Sequence, residues 1–459
     1  MKTYDVAIVG SGPAGIFAAL ELVRSGIHSV AVFEKGPRLE KRRCPEKEGG
    51  MCPPCPRCSV TSGWGGAGAF SDGKLTLTPE VGGWLGELVP RSQLEELIEE
   101  VRKTFVEYGA PDRVNVPEEE RARELRSRAR LCELDLITFP VMHLGTDNCE
   151  KILARFYAYL AERIDIHIPC EVTDITVKDG RVSEVVTSCG TFGAKHVILA
   201  PGREGAEWLF SLADRLGLPV RNNAVDIGVR VEVPAEVMAE LTDVLYEAKL
   251  IYHSKQFEDR VRTFCMNPYG EVTTEVYEDV ITVNGHSYAD RKTENTNFAL
   301  LVSKNFTEPF REPIAYGKYI ARLANLLSGG ALVQRLGDLQ LGRRSTPERL
   351  ARSTVRPTLE QAVPGDLSLV LPFRHLSSIL EMLKALDGLA PGVASRNTLL
   401  YGIEVKFYSA RFSLTPSLET PVGGLYAAGD GAGITRGLVQ AACSGIIAAR
   451  AISSSIRRT

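Results

Sequence analysis

The sequence predicts an α/β protein in which a parallel sheet carries an antiparallel meander and is interrupted by a separate α+β segment. Three observations support this fold class. An apolar run at residues 4–9 is followed by a glycine-rich turn and a helical segment, which is the order of a β-α-β unit. Residues 164–199 contain four closely spaced strand signals, with an Asp-Gly turn at 179–180. A short apolar strand at 425–428 precedes a long apolar helix, so we expect the first sheet to be completed near the C-terminus.

The first turn, Gly10-Ser11-Gly12-Pro13-Ala14-Gly15, has the spacing of a dinucleotide-binding fingerprint. Gly10 allows the tight turn, Gly12 lets the backbone approach a pyrophosphate, and Gly15 lets the helix pack closely on the strand. The helix N-terminus offers N–H groups to the phosphates. Glu34 ends the second apolar run, at the place where a carboxylate binds ribose hydroxyls. These residues predict a dinucleotide, which on this evidence alone could be NAD, NADP or FAD.

Composition and charge narrow the class of protein. The chain has 459 residues, 44% of them hydrophobic, which is enough for a large core and two or three domains. A net charge of −3 gives no indication of a nucleic-acid-binding surface. The sequence contains no long uninterrupted apolar run, so no membrane span is expected. The first strand begins soon after Met1 and most cysteines are scattered, so we expect a cytoplasmic protein with reduced thiols.

Two unusual segments follow Glu34. In the first, four cysteines lie close together and are interleaved with prolines, which exclude a regular helix. In the second, residues 62–74, glycine recurs at G-x-G-x-x-G spacing again, but no strand precedes it. We interpret this second segment as a loop whose backbone a flat ligand can approach closely. The four cysteines are Cys44, Cys52, Cys55 and Cys58.

Two later strands also end in turns of small residues. Residues 197–199 lead into Ala200-Pro201-Gly202, and residues 425–428 lead into Gly429-Asp430. Together with the fingerprint and Glu34, these turns favour FAD over the other dinucleotides. In this interpretation Asp430 reaches the ribityl chain, and the helix that follows points its N-terminus at the flavin.

Five segments carry a resemblance to a known family: 42–45, 65–74, 225–230, 291–295 and 433–437. In them the chain resembles FAD-dependent oxidoreductases of the glutathione-reductase-like superfamily. Within that superfamily it is similar to a family of uncharacterised bacterial and archaeal FAD-dependent dehydrogenases. The resemblance implies a Rossmann-like FAD-binding domain, built from a parallel sheet and a three-stranded β-meander, with an inserted α+β substrate domain.

The resemblance also implies which residues contact FAD. The glycine turn faces the pyrophosphate, Glu34 faces the adenosine ribose, and Val172 contacts adenine through backbone atoms. Asp430 meets the ribityl region, and the loop near residue 65 borders the isoalloxazine together with residues 434–437. The full expected set is Gly10, Gly12, Pro13, Ala14, Gly15, Glu34, Lys35, Gly65, Gly66, Ala67, Val172, Ala200, Pro201, Gly202, Gly429, Asp430, Ile434 and Gly437.

These features predict a discontinuous FAD-binding domain in three parts. Helical periodicity between the first two parts predicts a helical insertion, and strand and helix signals between the last two predict the substrate domain. We expect a small organic substrate to bind at the carboxyl ends of the flavin-domain strands, between the FAD-binding and inserted domains. The expected boundaries are 1–83 (with the cysteine-rich loop), 137–222 and 397–459 for the FAD-binding parts, 84–136 for the helical insertion, and 223–396 for the substrate domain.

A second dinucleotide fingerprint is missing from residues 200–400, so the sequence does not support NAD(P)H as a further cofactor. We therefore favour an FAD-dependent oxidoreductase, a dehydrogenase or reductase, that acts on a small organic substrate and uses an external electron donor or acceptor. One alternative is a thiol–disulfide or electron-transfer flavoprotein that uses the Cys44–Cys58 cluster. Another is a non-catalytic redox-sensing flavoprotein.

The cysteine cluster has three open interpretations. Its C-x2-C-x2-C spacing, with Cys44 outlying, suits an iron–sulfur or zinc site, although the prolines remove N–H groups that would bond cluster sulfurs. The cysteines could instead form a redox dithiol coupled to the flavin, with Arg42 and Arg43 lowering a thiol pKa. The third interpretation is a set of reduced cysteines that pack a proline-rich loop.

Charged residues near the expected flavin face are candidates for catalysis, since the flavin carries the hydride chemistry and the protein supplies charge and orientation. Arg436, near the start of the last helix, could bind a substrate carboxylate or stabilise anionic reduced flavin. Asp72 and Lys74 follow the glycine-rich loop and are weaker candidates. Glu404 and Lys406 lie on a later strand, and for them, as for Asp72 and Lys74, the sequence favours a solvated or capping role over a catalytic one.

Overall fold

The computed structural model describes residues 1–44, 58–70, 73–245, 247–277, 280–287, 292–306, 312–409 and 411–458. The chain divides into two compact units. Unit 1 contains 1–115, 139–223 and 408–459, and unit 2 contains 116–138 and 224–407. The fold is mixed α/β, as the sequence predicts.

The strands are numbered in chain order. The first eleven are β1 Thr3–Val9, β2 Val30–Phe33, β3 Lys74–Thr76, β4 Val114–Asn115, β5 Asp135–Ile137, β6 Val141–His143, β7 Asp165–His167, β8 Val172–Lys178, β9 Arg181–Thr187, β10 Gly190–Leu199 and β11 Val220–Arg221. The others are β12 Val225–Pro234, β13 Lys249–His253, β14 Arg260–Asn267, β15 Glu271–Tyr277, β16 Val280–His286, β17 Asn295–Lys304, β18 Leu332–Arg335, β19 Val363–Pro364, β20 Leu399–Lys406, β21 Arg411–Phe412 and β22 Leu425–Ala427.

The α-helices are numbered in the same way. They are α1 Pro13–Arg24, α2 Arg91–Glu107, α3 Glu119–Leu131, α4 Thr146–Ala161, α5 Ala206–Arg215, α6 Ala235–Thr242, α7 Pro313–Ser328, α8 Leu336–Gln340, α9 Pro347–Ala351, α10 Phe373–Leu389 and α11 Leu438–Arg458.

Unit 1 is built on a seven-stranded sheet. Strands β7, β2, β1 and β10 run parallel in that order, and β22 pairs in parallel with the last part of β10. The first part of β10 pairs instead with β9, which pairs with β8, and these antiparallel strands form the predicted meander. The turn between β8 and β9 has positive φ at Asp179 and Gly180, as an Asp-Gly hairpin requires.

The first and last helices of unit 1 pack tightly on each other. A Cβ on Gly445 of α11 would lie 2.0 Å from the carbonyl oxygen of Ala14 in α1, so only glycine permits this approach. Among the described residues, α11 alone has the length and apolar composition of a membrane-spanning helix. However, 72% of its most apolar window is buried inside the protein, as is usual for a core helix.

Unit 2 is built on an eight-stranded sheet in the order β19-β18-β20-β12-β17-β14-β13-β5. Along β12, Ile227, Val229 and Val231 join the apolar core, in which residues of α6, α7 and α10 are also buried. Because side chains alternate along a strand, Asp226, Arg230 and Glu232 lie on the opposite face. The hairpin β15–β16 supplies polar partners to that face, with Glu275 bonding to Lys406 and Asn284 to Arg230.

The structure divides the chain differently from the sequence-based boundaries. The expected helical insertion at 84–136 is split, because α2 packs in the core of unit 1 whereas Ala122 and Leu125 of α3 lie in the core of unit 2. Strand β20 was expected in the FAD-binding part at 397–459, but it pairs with β12 and β18 in unit 2. Helical periodicity and apolar runs reveal an element, but they do not reveal which of two cores it joins.

His375 of α10 makes the stability of unit 2 depend on pH. Its side chain is buried, neither ring nitrogen has a hydrogen-bond partner within the described residues, and burial lowers its pKa to about 4. His375 is therefore protonated below about pH 6.5 in the unfolded chain but only below about pH 4 in the folded protein.

We expect the free energy of unfolding to fall by about 3 kcal/mol between pH 6.5 and pH 4 because of this one histidine. In His375→Leu, the free energy of unfolding should vary less over this pH range than it does in the wild type. The measurement is urea denaturation of both proteins at several pH values. Equal pH slopes in the two proteins would contradict the assignment.

Candidate functional site

The predicted strand ends lie at one edge of the unit 1 sheet. In the parallel register Val9 pairs with Phe33 and with Leu199, and Leu199 pairs with Ala427. The next residues of the four strands are Gly10, Glu34, Ala200 and Ala428. Because these strands are parallel, their carboxyl ends form a common edge, which is where ligands bind in open α/β sheets.

The glycine turn at this edge has the geometry of a dinucleotide cradle. Gly10 has φ +96°, and a Cβ on it would lie 2.4 Å from the carbonyl oxygen of Ala200. A Cβ on Gly15 would lie 2.0 Å from the carbonyl oxygen of Gly10. In contrast, a Cβ on Gly12 would meet no described atom within 4 Å, so the approach to this backbone is open. Helix α1 begins at Pro13 and no side chain caps its N-terminus, which leaves N–H groups for a phosphate.

Glu34 is buried and organises the loops around the turn. One carboxylate oxygen accepts from the N–H and hydroxyl of Ser11 at 2.9 and 2.8 Å. The other accepts from the N–H of Gly36 at 2.8 Å and of Gly63 at 3.0 Å. The side chain thus joins the glycine turn to the glycine-rich loop. Its expected contact with the adenosine ribose stays a prediction.

A single guanidinium holds the segment that follows the cysteine cluster. Arg42 is buried and donates to the carbonyl oxygens of Ser59, Val60, Trp64 and Gly66 at 2.7–2.9 Å. Burial lowers its pKa to about 10, against the opposing effect of Glu34. These four hydrogen bonds use four of the five N–H donors of the guanidinium, and lysine, with three donors on one nitrogen, could not replace Arg42 here.

The glycine-rich loop lies directly on the glycine turn. The N–H of Gly65 donates to the carbonyl oxygen of Ser11 at 2.9 Å, and a Cβ on Gly66 would lie 3.1 Å from the Cα of Gly12. Ala67, next in the loop, is exposed. The structure therefore brings together the two glycine segments that the sequence predicts to contact FAD.

The turn after β22 contributes a carboxylate to the same unit. Asp430 accepts from the hydroxyl of Thr435 at 2.7 Å and from the N–H of Gly437 at 3.3 Å. Burial raises the pKa of Asp430, an effect that Arg203 and the Thr435 hydrogen bond oppose. A Cβ on Gly429 would lie 3.0 Å from that of Ala14, so this turn lies against the start of α1. Gly437 has φ +99° and open space at its Cβ position.

Arg436 is held between aromatic side chains. The centroid of the Trp84 ring lies 4.1 Å and that of Tyr408 3.3 Å from its guanidinium carbon. Two backbone hydrogen bonds join the neighbouring segments. The N–H of Trp84 donates to the carbonyl oxygen of Ile434 at 2.8 Å, and the N–H of Arg436 donates to that of Gly82 at 2.6 Å. Neither ring was predicted from the sequence. The two glycines before Trp84 are a sequence signal that could have indicated a close backbone contact at this loop. No pattern near Tyr408 indicates that its ring contacts Arg436.

The other predicted residues that the structure describes lie on strands or in turns of unit 1. Val172 begins β8, Lys74 begins β3 opposite His143, and Lys35 lies 3.8 Å from Glu204. Pro201 and Gly202 follow β10, with Gly202 at φ +67° and open space at its Cβ position, and Ile434 is buried. Asp72 lies outside the described residues.

The cysteine cluster is only partly described. Cys44 and Cys58 are free thiols, while Cys52 and Cys55 lie outside the described residues. Within the described part of the chain no group of three or more metal-ligating side chains is found. All three interpretations of the cluster therefore stay open.

Comparison with known proteins supports the cofactor. Residues 5–42 match the family model of an FAD binding domain, and residues 224–407 match that of an FAD-dependent protein, C-terminal domain-like. Residues 357–459 match the model of glucose inhibited division protein A. An uncharacterised protein of Clostridium beijerinckii is 29% identical over 475 aligned positions, which cover 96% of this chain and 79% of that protein.

Two solved structures resemble the chain distantly. L-proline dehydrogenase from P. horikoshii is 11% identical with a TM-score of 0.41, and the alignment covers 99% of this chain and 94% of that one. Glycine oxidase from Bacillus cereus is 14% identical with a TM-score of 0.37, with coverages of 99% and 96%. The assignment below therefore depends on the family models and the geometry of the turn.

The glycine turn and the two FAD family models agree, and FAD is the cofactor they support. By class, the chain is an FAD-dependent protein, as the sequence predicts. Membership of the glutathione-reductase-like superfamily and a cytoplasmic location stay predictions.

Proposed function

We propose that the chain oxidises or reduces a small organic substrate that carries a negative charge, with Arg436 as the residue that binds this charge or that of the reduced flavin. The observation that supports the proposal is the position of Arg436, between Trp84 and Tyr408 and six residues after Asp430. Where the substrate binds stays a prediction.

FAD, when bound, supplies hydride chemistry, and the side chains supply orientation and charge. Trp84 and Tyr408 restrict the rotamers of Arg436, so little side-chain entropy remains to be lost when the guanidinium binds an anion. Thr435 donates to Asp430 and thereby fixes the backbone turn that precedes Arg436. The residues of the fingerprint hold the cofactor, since their N–H groups and open approach suit a pyrophosphate.

Replacing Arg436 with glutamine is expected to slow flavin reduction by the substrate about 10–100-fold, the effect of losing one charge-assisted hydrogen bond. FAD content should be unchanged. The measurement is stopped-flow bleaching of the flavin under anaerobic conditions.

Arg411 offers a matched control, because its guanidinium is 5.8 Å from the Trp84 ring centroid and pairs with Glu87 at 2.7 Å. Arg411→Gln should leave the rate within about twofold of wild type. If Arg436→Gln behaves like this control, Arg436 has no role in the reaction. A change in the flavin potential at constant substrate affinity would assign the charge to the flavin; a change in KM alone would assign it to the substrate.

The substrate class is tested by the same bleaching assay with a panel of reductants. We expect amino acids or hydroxy acids to reduce the flavin faster than the corresponding carboxamides, because only the acids present a carboxylate to Arg436. NADH, NADPH and dithiols complete the panel. Reduction by dithiols alone would favour the alternative in which the Cys44–Cys58 cluster exchanges electrons with the flavin.

A further inference from the structure

Helix α7 of unit 2 has its side chains distributed in an unusual way. Its buried face carries mainly small residues, Gly317, Ala321 and Ala324. A Cβ on Gly317 would lie 2.9 Å from the Phe407 ring and 3.0 Å from a Val405 methyl, so the helix packs very close to β20 and its continuation. Among the larger apolar side chains of the helix, Ile320 lies in the core of unit 2, and Ile314 and Tyr316 pack partly against that core.

Four other large apolar side chains of α7 are exposed on the opposite face. The exposed fractions are 67% for Tyr319, 38% for Leu323, 80% for Leu326 and 44% for Leu327. Their spacing of i, i+4, i+7 and i+8 places them on one stripe of the helix. Isolated exposed apolar residues are common, but a continuous stripe of this kind marks an interaction surface. We call these four residues the α7 stripe.

The charged residues of α7 favour one kind of partner for this stripe. The helix contains Lys318 and Arg322 and no acidic residue, so its own charge is positive. A leucine- and tyrosine-bearing face with basic neighbours suits an interfacial helix on anionic lipid, where apolar side chains enter the acyl boundary and tyrosine lies at the headgroup level.

A second copy of the chain fits less well. Two α7 helices in a two-fold contact would bring the basic residues of both copies together. One stripe of four residues is also small compared with the roughly 800 Å² that each partner of a stable complex buries.

We propose that the α7 stripe is a docking surface for an anionic membrane, on which the protein binds peripherally without spanning the bilayer. This inference is independent of the proposed chemistry, because it depends only on α7.

The test uses the FAD-loaded full chain and sedimentation with lipid vesicles. We expect binding to vesicles of 30% phosphatidylglycerol in phosphatidylcholine and weaker binding to pure phosphatidylcholine, with the difference reduced by salt. The double variant Leu323→Gln/Leu326→Gln should lose at least about tenfold in vesicle affinity. Leu131→Gln is the matched control, because Leu131 is 86% exposed at the end of α3 and lies outside the stripe.

A second measurement keeps the proposal testable if a variant folds poorly. Tyr319→Trp should show blue-shifted emission and quenching by brominated lipid, whereas Leu131→Trp should show neither. Absence of wild-type binding, or equal binding of the double variant, would overturn the proposal. So would a wild-type dimer in sedimentation velocity that the double variant abolishes, since a second copy would then be the partner.

Discussion

Gly12→Ala is expected to leave the apoprotein folded and to weaken FAD binding by at least about tenfold, or about 1.4 kcal/mol. Gly12 has φ −74° and ψ −175°, a conformation that alanine also adopts, and its Cβ position meets no described atom within 4 Å. The fingerprint places the pyrophosphate in that open space, so an added methyl group would clash only with the ligand. Fluorescence titration of apoprotein with FAD measures the loss.

Gly15→Ala is the matched control from the same turn. Its Cβ would lie 2.0 Å from the carbonyl oxygen of Gly10, so the methyl group clashes with the protein itself. We expect the free energy of unfolding of the apoprotein to fall by about 1–3 kcal/mol, a loss that Gly12→Ala does not share. Wild-type FAD affinity in Gly12→Ala would show that the cofactor does not approach this backbone.

Glu404→Gln is expected to destabilise unit 2 by about 3–5 kcal/mol. Arg230 and Glu404 are both 0% exposed, and two hydrogen bonds of 2.7 Å join them. The Glu404 carboxylate also lies 3.4 Å from Lys406. Glutamine keeps the shape but removes the charge, which leaves a guanidinium buried without a counter-ion. Urea denaturation followed by circular dichroism measures the change.

The control for this variant is an exposed ion pair in the same unit. Glu240 pairs with Arg128 and its side chain is 54% exposed, so Glu240→Gln should change stability by no more than about 0.5 kcal/mol. Glu404 was a weak catalytic candidate in the sequence, and the structure favours a structural role. A Glu404→Gln protein of normal stability and impaired flavin reduction would reverse that conclusion.

The FAD cradle could be predicted because its determinants are local. The turn at Gly10–Gly15, the Asp-Gly hairpin at 179–180 and the strand before Asp430 are each specified by residues next to one another in sequence. Such signals reflect backbone conformations that few residues can adopt.

The contacts that support this cradle depend on distant residues and were missed. Glu34 accepts from Gly63, and Arg42 from the other end of the cysteine segment holds Trp64 and Gly66. Tyr408 reaches Arg436 from outside the last helix and its turn. No pattern of spacing reports these pairings, because each depends on how separate loops pack.

The sequence by itself determined the cofactor class and the order of elements that cradle it, since a dinucleotide requires glycine and helix N-termini at defined spacings. Only the tertiary structure decided which core α2, α3 and β20 join, and that Glu404 belongs to a buried ion pair. It also decided that Tyr319, Leu323, Leu326 and Leu327 of α7 are exposed. The physical reason is that burial and pairing are properties of the packed chain, whereas a glycine turn is a property of a few adjacent residues.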